Sequence, residues 1–231
     1  MTMTGLSLRM EDISFTYPGA PGKPGADGGY CSFNLSVECF EPGARMALLG
    51  PNGSGKTTIG KLCAGLLKPD AGRILYNGED IAGWPLGRIG GQAGYLFQDP
   101  SRQIFAPHPL EEIAFPLELR GMPKPEAASI ARGLLAEFEL EGIEDSTTYT
   151  LSRGEKQRLA IAAVMACKPS YLILDEPTTG LDTRRREILA RTLRRLIDVG
   201  VGVLLITHDR SFAEGLEAEI RFVEGGRLLD G

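Results

Sequence analysis

GPNGSGKT, residues Gly50–Thr57, decides the fold because it matches the phosphate-binding pattern G-x-x-x-x-G-K-[ST]. The short run Arg45–Leu49 precedes it and predicts a buried strand. Apolar residues at helical spacing follow it and predict a helix with one buried face (Ile59, Leu62, Cys63, Leu66 and Leu67). A strand, a glycine-rich loop and a helix form the setting in which this pattern is more than a chance turn. The stretch therefore predicts a site for a nucleoside triphosphate.

The residue types of this loop suit a triphosphate. Glycines allow the backbone to form a nest whose N–H groups point at phosphate oxygens. The helix that opens at Lys56 adds the positive end of its dipole. The Lys56 ammonium can reach the β- and γ-phosphates, and the Thr57 hydroxyl can hold Mg²⁺. The predicted nucleotide contacts of the loop are Gly50, Asn52, Gly53, Ser54, Gly55, Lys56, Thr57 and Thr58.

Composition describes an ordinary globular chain. It has 231 residues, 42% of them apolar, and a net charge of −5, which allows one large domain or one domain with a subdomain. No basic patch dominates, which argues against extended nucleic-acid binding. Four cysteines without metal-ligand spacing favour reduced thiols in a cytosolic protein. No export signal is visible, and the longest apolar stretch, Val199–Ile206, is too short to span a bilayer, so any membrane role is expected through a partner.

The segments around the loop predict strands and helices in alternation. Leu6–Tyr17 predicts one or two antiparallel strands, residues 19–29 a loop, and Cys31–Val37 a further strand. A short strand that ends at Asn77-Gly78 predicts a hairpin. A short strand is predicted over residues 94–98 and buried strands over 171–174 and 202–206, with a closing hairpin over 220–229. Alternation with helices argues for a largely parallel sheet.

Three helical regions are predicted in the second half of the chain. Residues 101–125 carry five prolines and predict short helices, and a longer helix begins near Pro125. Ser152 and Glu155 form a capping box that opens a buried helix. Residues 188–197 predict an amphipathic helix.

An acidic pair, Asp175 and Glu176, follows the apolar residues 172–174. A carboxylate at the end of a buried strand helps to hold Mg²⁺ in NTPases that carry a phosphate-binding loop. Asp175 is therefore the predicted metal ligand, and Glu176 is predicted to orient or deprotonate the attacking water. Acidic residues at strand ends are also common as solvated turn residues, and it is the upstream loop that favours the functional interpretation.

Five further stretches follow in the order typical of one family. They are LSRGE at 151–155 in the signature position, Gln98 in the Q-loop position, TGLD at 179–182 in the D-loop position, His208 as switch histidine, and Tyr17 as the aromatic that stacks on adenine. Together they resemble the ATP-binding subunit of an ABC transporter over nearly the whole chain. Tyr17 as a half-buried strand residue and His208 as an inert turn residue are the alternative interpretations.

The resemblance implies a fold and a division of the chain. The fold is the α/β P-loop NTPase of ABC type, with a mostly parallel core sheet, an N-terminal antiparallel β subdomain and an inserted α-helical subdomain. Residues 1–231 would form a single ABC ATPase domain. About 1–96 and 166–231 would form the RecA-like core with the β subdomain, and about 97–165 the helical subdomain.

The resemblance also implies a mechanism that uses ATP and Mg²⁺. The expected catalytic residues are Lys56, Gln98, Glu176 and His208, and the expected Mg²⁺ ligands are Thr57, Gln98 and Asp175. A second cassette, identical or related, would sandwich two ATP molecules head to tail, so that Ser152 and Gly154 face the nucleotide held by the partner; Asp182, in the D-loop position, is a further expected nucleotide contact. For Ser152 and Gly154 the alternative is a well-capped helix without a ligand.

The resemblance further implies a membrane partner. An integral membrane transport subunit would dock near Gln98–Pro125, which would place the chain peripherally at the cytoplasmic face of the cell membrane. The apolar residues of this segment would line a docking groove or only pack the helical subdomain (Ile104, Phe105, Leu110, Ile113, Phe115, Leu117 and Leu119).

The stretch FQDPSRQIF, residues 97–105, looks like the Q-loop region of energy-coupling factor ATPases. These power bacterial uptake of vitamins or of cobalt and nickel ions, and the solute is chosen by another chain. Asp99 departs from the asparagine that is usual there. The alternatives are another ABC importer or exporter, a soluble ABC protein of ribosomes or DNA repair, and a regulatory module without turnover.

One signature residue departs from the family pattern. Arg153 occupies the third position, where glycine is usual. It is either a tolerated substitution, since Ser152 and Gly154 are intact, or the mark of a weakened signature in an unequal pair of cassettes.

Overall fold

The computed structural model describes residues 7–17, 30–32 and 43–229. The loop predicted over 19–29, and the part of the predicted strand beyond Ser32, lie outside the described residues. The strands are β1 Leu8–Thr16, β2 Tyr30–Ser32, β3 Arg45–Leu49, β4 Ala71–Tyr76, β5 Glu79–Asp80, β6 Ala93–Leu96, β7 Tyr171–Asp175, β8 Gly202–Ile206, β9 Glu219–Glu224 and β10 Arg227–Leu229. The helices are α1 Lys56–Cys63, α2 Leu86–Ile89, α3 Pro109–Leu119, α4 Lys124–Glu137, α5 Arg153–Ala166, α6 Thr183–Asp198 and α7 Arg210–Gly215.

An antiparallel sheet with the order β2-β1-β4-β5 forms from the N-terminal strands. The segment for which one or two strands were predicted forms the single strand β1. Its pairing with β4 shifts between Glu11 and Ser14, where Asp12 has a φ of 50°. An extra residue at a bulge shifts the alternation of buried and exposed side chains by one position. Met10 before the bulge and Ile13 after it therefore both face the core. This explains why the sequence pattern allowed one strand or two.

The hairpin predicted at Asn77-Gly78 joins β4 to β5 and is confirmed. Both residues have positive φ, 52° for Asn77 and 79° for Gly78. A two-residue turn with this geometry matches the twist of the flanking strands.

The larger sheet has the order β10-β9-β3-β8-β7-β6, and all its neighbours pair in parallel except β10 and β9. The predicted α/β fold with a mostly parallel sheet is therefore confirmed. Because parallel strands point the same way, the carboxyl ends of β3, β7 and β8 meet at one edge. The residues that follow these strands form the candidate site.

Both faces of this sheet are covered. Leu172 and Leu174 of β7 belong to a core that includes residues of α3, α4, α5 and α6, whereas Tyr171 and Ile173 belong to a second core with α1 and the antiparallel sheet. Burial on both faces accounts for the unbroken apolar run of β7. Whether the chain divides into subdomains at about residues 97 and 165 stays a prediction.

Of two helical predictions, the first differs from the structure and the second, short helices in the proline-rich segment, is confirmed. The helix after the phosphate-binding loop ends at Cys63, so the prediction that Leu66 and Leu67 extend its apolar face is wrong. Gly65, with a φ of 65°, takes the left-handed conformation that ends helices. The proline-rich segment forms a 3₁₀ turn, Pro100–Arg102, and the eleven-residue α3, which contains Pro116.

Candidate functional site

A cleft of about 590 Å³ opens at the carboxyl edge of the parallel sheet. Its lining consists of Tyr17, Asn52, Gly53, Ser54, Gly55, Lys56, Thr57, Thr58, Gln98, Glu176, Thr179 and His208. All of these residues except Thr179 were predicted as site residues. The structure thus brings together residues that are up to 191 positions apart, since the cleft extends from Tyr17 to His208.

Two glycines shape the loop that forms the floor of the cleft. A Cβ on Gly50 would lie 2.1 Å from the carbonyl oxygen of Val223, so a side chain there would force the loop away from β9. Gly55 has a φ of 105° and precedes α1. Gly50 does not line the cleft itself but accepts a hydrogen bond from a residue that does.

The Lys56 ammonium is held at this loop. Its Nζ donates to the carbonyl oxygens of Gly50 at 2.7 Å and Pro51 at 2.9 Å, and only 5% of the residue is exposed. Burial lowers the pKa of Lys56, while Glu176 and Asp175 act to raise it. The two carboxylates thus favour the charged form of the lysine that a phosphate requires.

A row of three side chains connects α1 to β7 and β6. The Thr57 hydroxyl donates to Oδ1 of Asp175 at 2.9 Å, and the Tyr95 hydroxyl donates to Oδ2 at 3.0 Å. Burial, and next the Asp175 charge, raise the pKa of Tyr95, so it remains a donor. A hydroxyl next to a carboxylate is the hard-oxygen set that Mg²⁺ accepts together with phosphate oxygens. The residues present therefore fit a Mg²⁺ ion.

Tyr95 was missed by the sequence reasoning. It lies in β6, which pairs with β7, and its neighbour across the strands is Ile173. The signal that could have found it is a hydroxyl-bearing aromatic in a strand that is otherwise small and apolar. Linking it to Asp175 also requires the order of the strands, which the sequence does not display.

Glu176 and His208 form a pair at the cleft. Nδ1 of His208 lies 2.8 Å from Oε2 of Glu176. The carboxylate side chain is 10% exposed and the imidazole 63%. The backbone N–H of Glu176 donates to the carbonyl of Ile206 at 2.8 Å, which fixes the turn after β7 against the end of β8. A carboxylate held in this way can accept a proton from a water molecule.

Tyr17 lies just beyond β1 at the rim of the cleft and is 42% exposed. Its ring packs edge-on against Phe15 with centroids 4.9 Å apart, and its hydroxyl oxygen lies 3.3 Å from Oγ1 of Thr58. An aromatic ring with this much exposure can stack on a nucleotide base.

Asp175 is buried behind the lining of the cleft and reaches it through Thr57, and three further predicted site residues lie elsewhere. Ser152 forms the predicted capping box of α5: its Oγ accepts from Glu155 N–H at 3.4 Å, and the Glu155 carboxylate accepts from Ser152 N–H at 2.7 Å. Asp182 caps α6 by accepting from Arg185 N–H at 2.9 Å. Gly154 lies in the first turn of α5. None of the three lines the cleft.

An apolar groove of about 320 Å³ lies beside the cleft. It is lined by Ala64, Leu66, Leu86, Gly90, Ala93, Gly94, Tyr95, Phe97, Gln103, Phe105, Glu112, Pro116, Ala163, Val164 and Cys167. Of the apolar residues predicted for a groove, only Phe105 lines it; Ile113 and Leu117 are buried in the core. Phe105 is 61% exposed and packs edge-on against Phe115, which is 46% exposed.

Buried Glu112 fixes the rim of this groove. Its Oε2 accepts from the backbone N–H groups of Phe105 at 3.0 Å and Ala106 at 2.7 Å. Burial raises the pKa of Glu112, and these two hydrogen bonds oppose the shift. The segment that carries the exposed ring of Phe105 is thus anchored to α3.

A family model described as ABC transporter matches residues 33–179. This chain belongs to the ABC transporter ATP-binding family. A putative ABC transporter ATP-binding protein of Methanosarcina acetivorans is 41% identical over 206 residues, which are 89% of this chain and 33% of that protein. The chain therefore spans about one third of the length of that relative. The energy-coupling factor transporter ATP-binding protein EcfA of Methanothermobacter thermautotrophicus is 35% identical over 225 residues, 96% of this chain and 69% of its own.

Solved structures of ABC cassettes share the fold. CbiO1 of Clostridium perfringens, described as part of the ABC transporter complex cbiONQ, superposes with a TM-score of 0.80 and 28% identity over 98% of this chain and 87% of its own. The cassette MJ0796, described as a dimer in a post-hydrolysis state bound to ADP and Pi, gives a TM-score of 0.79 and 26% identity over 96% of each chain. Across the three described ranges of this chain, no helix has the length and apolar character needed to cross a membrane.

Proposed function

We propose that this chain is the ATP-binding and ATP-hydrolysing subunit of an ABC transporter, and that the transporter is an energy-coupling factor importer of a vitamin or of cobalt or nickel ions. One observation supports the proposed ATP hydrolysis. Lys56, Thr57 with its hydrogen-bond partner Asp175, and the Glu176–His208 pair meet at one cleft. Phosphoryl transfer needs positioning and charge stabilisation more than covalent chemistry, and these groups supply both.

Each group has a proposed role. The loop N–H groups and Lys56 bind the phosphates, and Tyr17 stacks on adenine. Glu176 orients the attacking water and accepts its proton. Because Nδ1 of His208 faces the Glu176 carboxylate, Nε2 is the ring nitrogen that would face the γ-phosphate, and it would donate a hydrogen bond there when the imidazole carries both protons. Thr57 and Asp175, together with Gln98, would hold Mg²⁺, which neutralises charge on the β- and γ-phosphates.

A second cassette would complete the site. Ser152, Gly154 and Asp182 lie at the starts of α5 and α6, outside the cleft of their own chain. We assign them to the nucleotide held by a second cassette, identical or related. The dimeric description of MJ0796 supports this arrangement.

A membrane subunit would occupy the apolar groove around Phe105. Gln98 lines the cleft, whereas its neighbour Phe97 lines the groove, so one segment borders both. Gln103 braces this segment by donating to the carbonyl of Tyr95 at 3.0 Å and accepting from Phe97 N–H at 3.3 Å. Movement of the segment on ATP binding would be transmitted to a docked partner. With such a partner the chain would lie at the cytoplasmic face of the cell membrane.

The importer type is supported by the Q-loop stretch 97–105, by the name of the EcfA relative and by the description of CbiO1. The second candidate is the ATPase of another ABC importer or exporter, which the putative transporter name of the Methanosarcina relative equally allows.

Co-expression with an energy-coupling factor membrane scaffold tests the proposal. The scaffold is expected to copurify with the wild-type chain but not with the Phe105→Ser variant. Tyr149→Ser is the control, because its ring is 80% exposed and lies outside the groove, and this variant should still copurify with the scaffold. Cells that express the complex should take up cobalt, nickel or a vitamin, and Glu176→Gln should abolish the uptake. ATP hydrolysis without copurification would support the second candidate.

A further inference from the structure

Two arginines cross between the starts of α5 and α6, and each lies over a glycine of the other segment. A Cβ on Gly180, just before α6, would lie 3.1 Å from Nη1 and 3.2 Å from Cζ of Arg153. A Cβ on Gly154 would lie 3.2 Å from Cδ of Arg185. Gly180 has a φ of 72°, and the lack of a side chain permits the close approach. The two side chains thus approach the opposite helix start reciprocally.

The charge at the start of α6 is unusual. Three arginines, Arg184–Arg186, occupy its first turn, where the helix dipole favours acidic residues. Two of them engage other groups: Arg185 lies 3.3 Å from Oδ2 of the capping Asp182, and Nη1 of Arg186 lies 2.8 Å from Oδ2 of Asp209. A local rule broken in this way is expected where the residues serve a function.

Arg153 also reaches the wall of the nucleotide cleft. Its Nη2 is directed at the carbonyl oxygen of Gln98 at 3.5 Å, which is a long hydrogen bond. Gln98 lines the cleft, and so does Thr179, the neighbour of Gly180. One guanidinium therefore supports two parts of the wall that are distant in the chain. Its planar fork can lie over a glycine while it donates to a carbonyl, which an ammonium does less well.

Thr179 is the residue of the cleft wall that lies next to Gly180, which Arg153 approaches. Its N–H donates to the carbonyl of Glu176 at 3.1 Å. Its Oγ1 is buried and has no hydrogen-bond partner among the described residues. A buried hydroxyl without a partner at a binding cleft is a candidate ligand contact, and its direction depends on where Gly180 is held.

We propose that Arg153 is a positioning residue for Mg-ATP binding: with Arg185 it clamps Gln98 and the Thr179–Gly180 segment in place from outside the cleft. The clamp acts within one chain, so it is present before any partner binds. The proposal of this clamp rests on the proposed binding of ATP in the cleft and does not depend on the type of transporter. This role would explain, within one chain, why arginine occupies position 153 of the signature, where glycine is usual.

Hydrogen exchange of the full chain, free and with Mg-ATP, tests the clamp. Arg153→Ala is expected to raise exchange in residues 97–103 and 178–183 on the order of fivefold. Arg184→Ala is the control, because it removes an arginine of the first turn of α6, next to Arg185, that has no hydrogen bond or ion pair among the described residues. It should change exchange by less than about twofold.

Steady-state kinetics separate positioning from a structural contact. Arg153→Ala is expected to raise KM for Mg-ATP about fivefold with a smaller change in kcat, because the clamp orders the binding wall and not the attacking water. Arg153→Lys should restore less than half of the loss. Unchanged exchange in Arg153→Ala, or raised exchange without a change in KM, would overturn the proposal. Faster turnover in Arg153→Gly would also overturn it and favour a weakened signature.

Discussion

His208 Nδ1 lies 2.8 Å from Glu176 Oε2, although the two residues are 32 positions apart. The contact arises because β7 and β8 pair in parallel, so the residues that follow them meet. Glu176 turns into the cleft with a φ of 48°. A left-handed backbone costs a residue with a side chain about 1–3 kcal/mol and persists where the surroundings impose it, often at functional sites.

Replacing Glu176 by glutamine is expected to lower kcat for ATP hydrolysis by about 10²–10⁴-fold, because an amide cannot accept a proton from water. Nucleotide binding should persist, since Lys56 and the loop are unchanged. Phosphate release and nucleotide titration measure the two effects. Glu187→Gln on α6 is the matched control, because Glu187 is exposed and makes no hydrogen bond or ion pair within the described ranges. Equal rates for Glu176→Gln and wild type would refute the assigned role.

Tyr95→Phe is expected to weaken Mg²⁺ use. The change removes the donor to Asp175 Oδ2 and keeps the ring. Groups that hold a metal ligand in place typically contribute 10–100-fold to metal affinity, so the Mg²⁺ concentration for half-maximal ATPase should rise about tenfold. Tyr76→Phe removes a buried hydroxyl that donates to the carbonyl of Cys63, away from the cleft, and serves as control. An equal Mg²⁺ requirement in both variants would exclude this role of Tyr95.

Gly50→Ala is expected to destabilise the fold and abolish nucleotide binding together. The added methyl would meet the carbonyl oxygen of Val223 at 2.1 Å, and relief requires the loop or β9 to shift at a cost of about 1–3 kcal/mol or more. Gly83→Ala provides the comparison, because nothing lies within 4 Å of a Cβ there. Chemical denaturation measures the difference. Similar unfolding free energies for the two variants would show that the close approach is not required.

Glu155→Gln tests the start of α5 through its pH dependence. Hydrogen bonds from Ser152, side chain first and then backbone, lower the pKa of Glu155. The stabilisation by the carboxylate is therefore complete above its ordinary pKa and is lost as the pH falls through the lower folded pKa. Wild type should exceed Glu155→Gln by about 0.5 kcal/mol at pH 7, and the gap should close in acid. Glu141→Gln, in an exposed loop, should show no such gap at pH 7, and a gap for Glu155→Gln that persists in acid would contradict the account.

The residues that could be predicted from sequence are those in continuous motifs. Lys56 and Thr57 lie in one eight-residue loop, and Asp175 and Glu176 follow a run that is buried on both faces. Their neighbourhood in the fold follows from parallel pairing, which alternation of strands and helices already predicted.

Other features depend on contacts that no local pattern records. Tyr95 meets Asp175 only because β6 is the neighbour of β7. The contact of Arg153 with Gly180 requires the relative position of two helix starts. The bulge at Asp12 is visible in sequence only as a change of phase, which a break between two strands would also produce.

The most direct test of the account is a crystal structure of the Glu176→Gln chain grown with Mg-ATP. We expect the phosphates on the N–H groups of the Gly50–Thr57 loop with the Lys56 ammonium turned towards them, and Mg²⁺ between the Thr57 hydroxyl and the phosphate oxygens. Saturating Mg-ATP with no phosphate in that loop, or with the nucleotide bound elsewhere, would contradict the central claim.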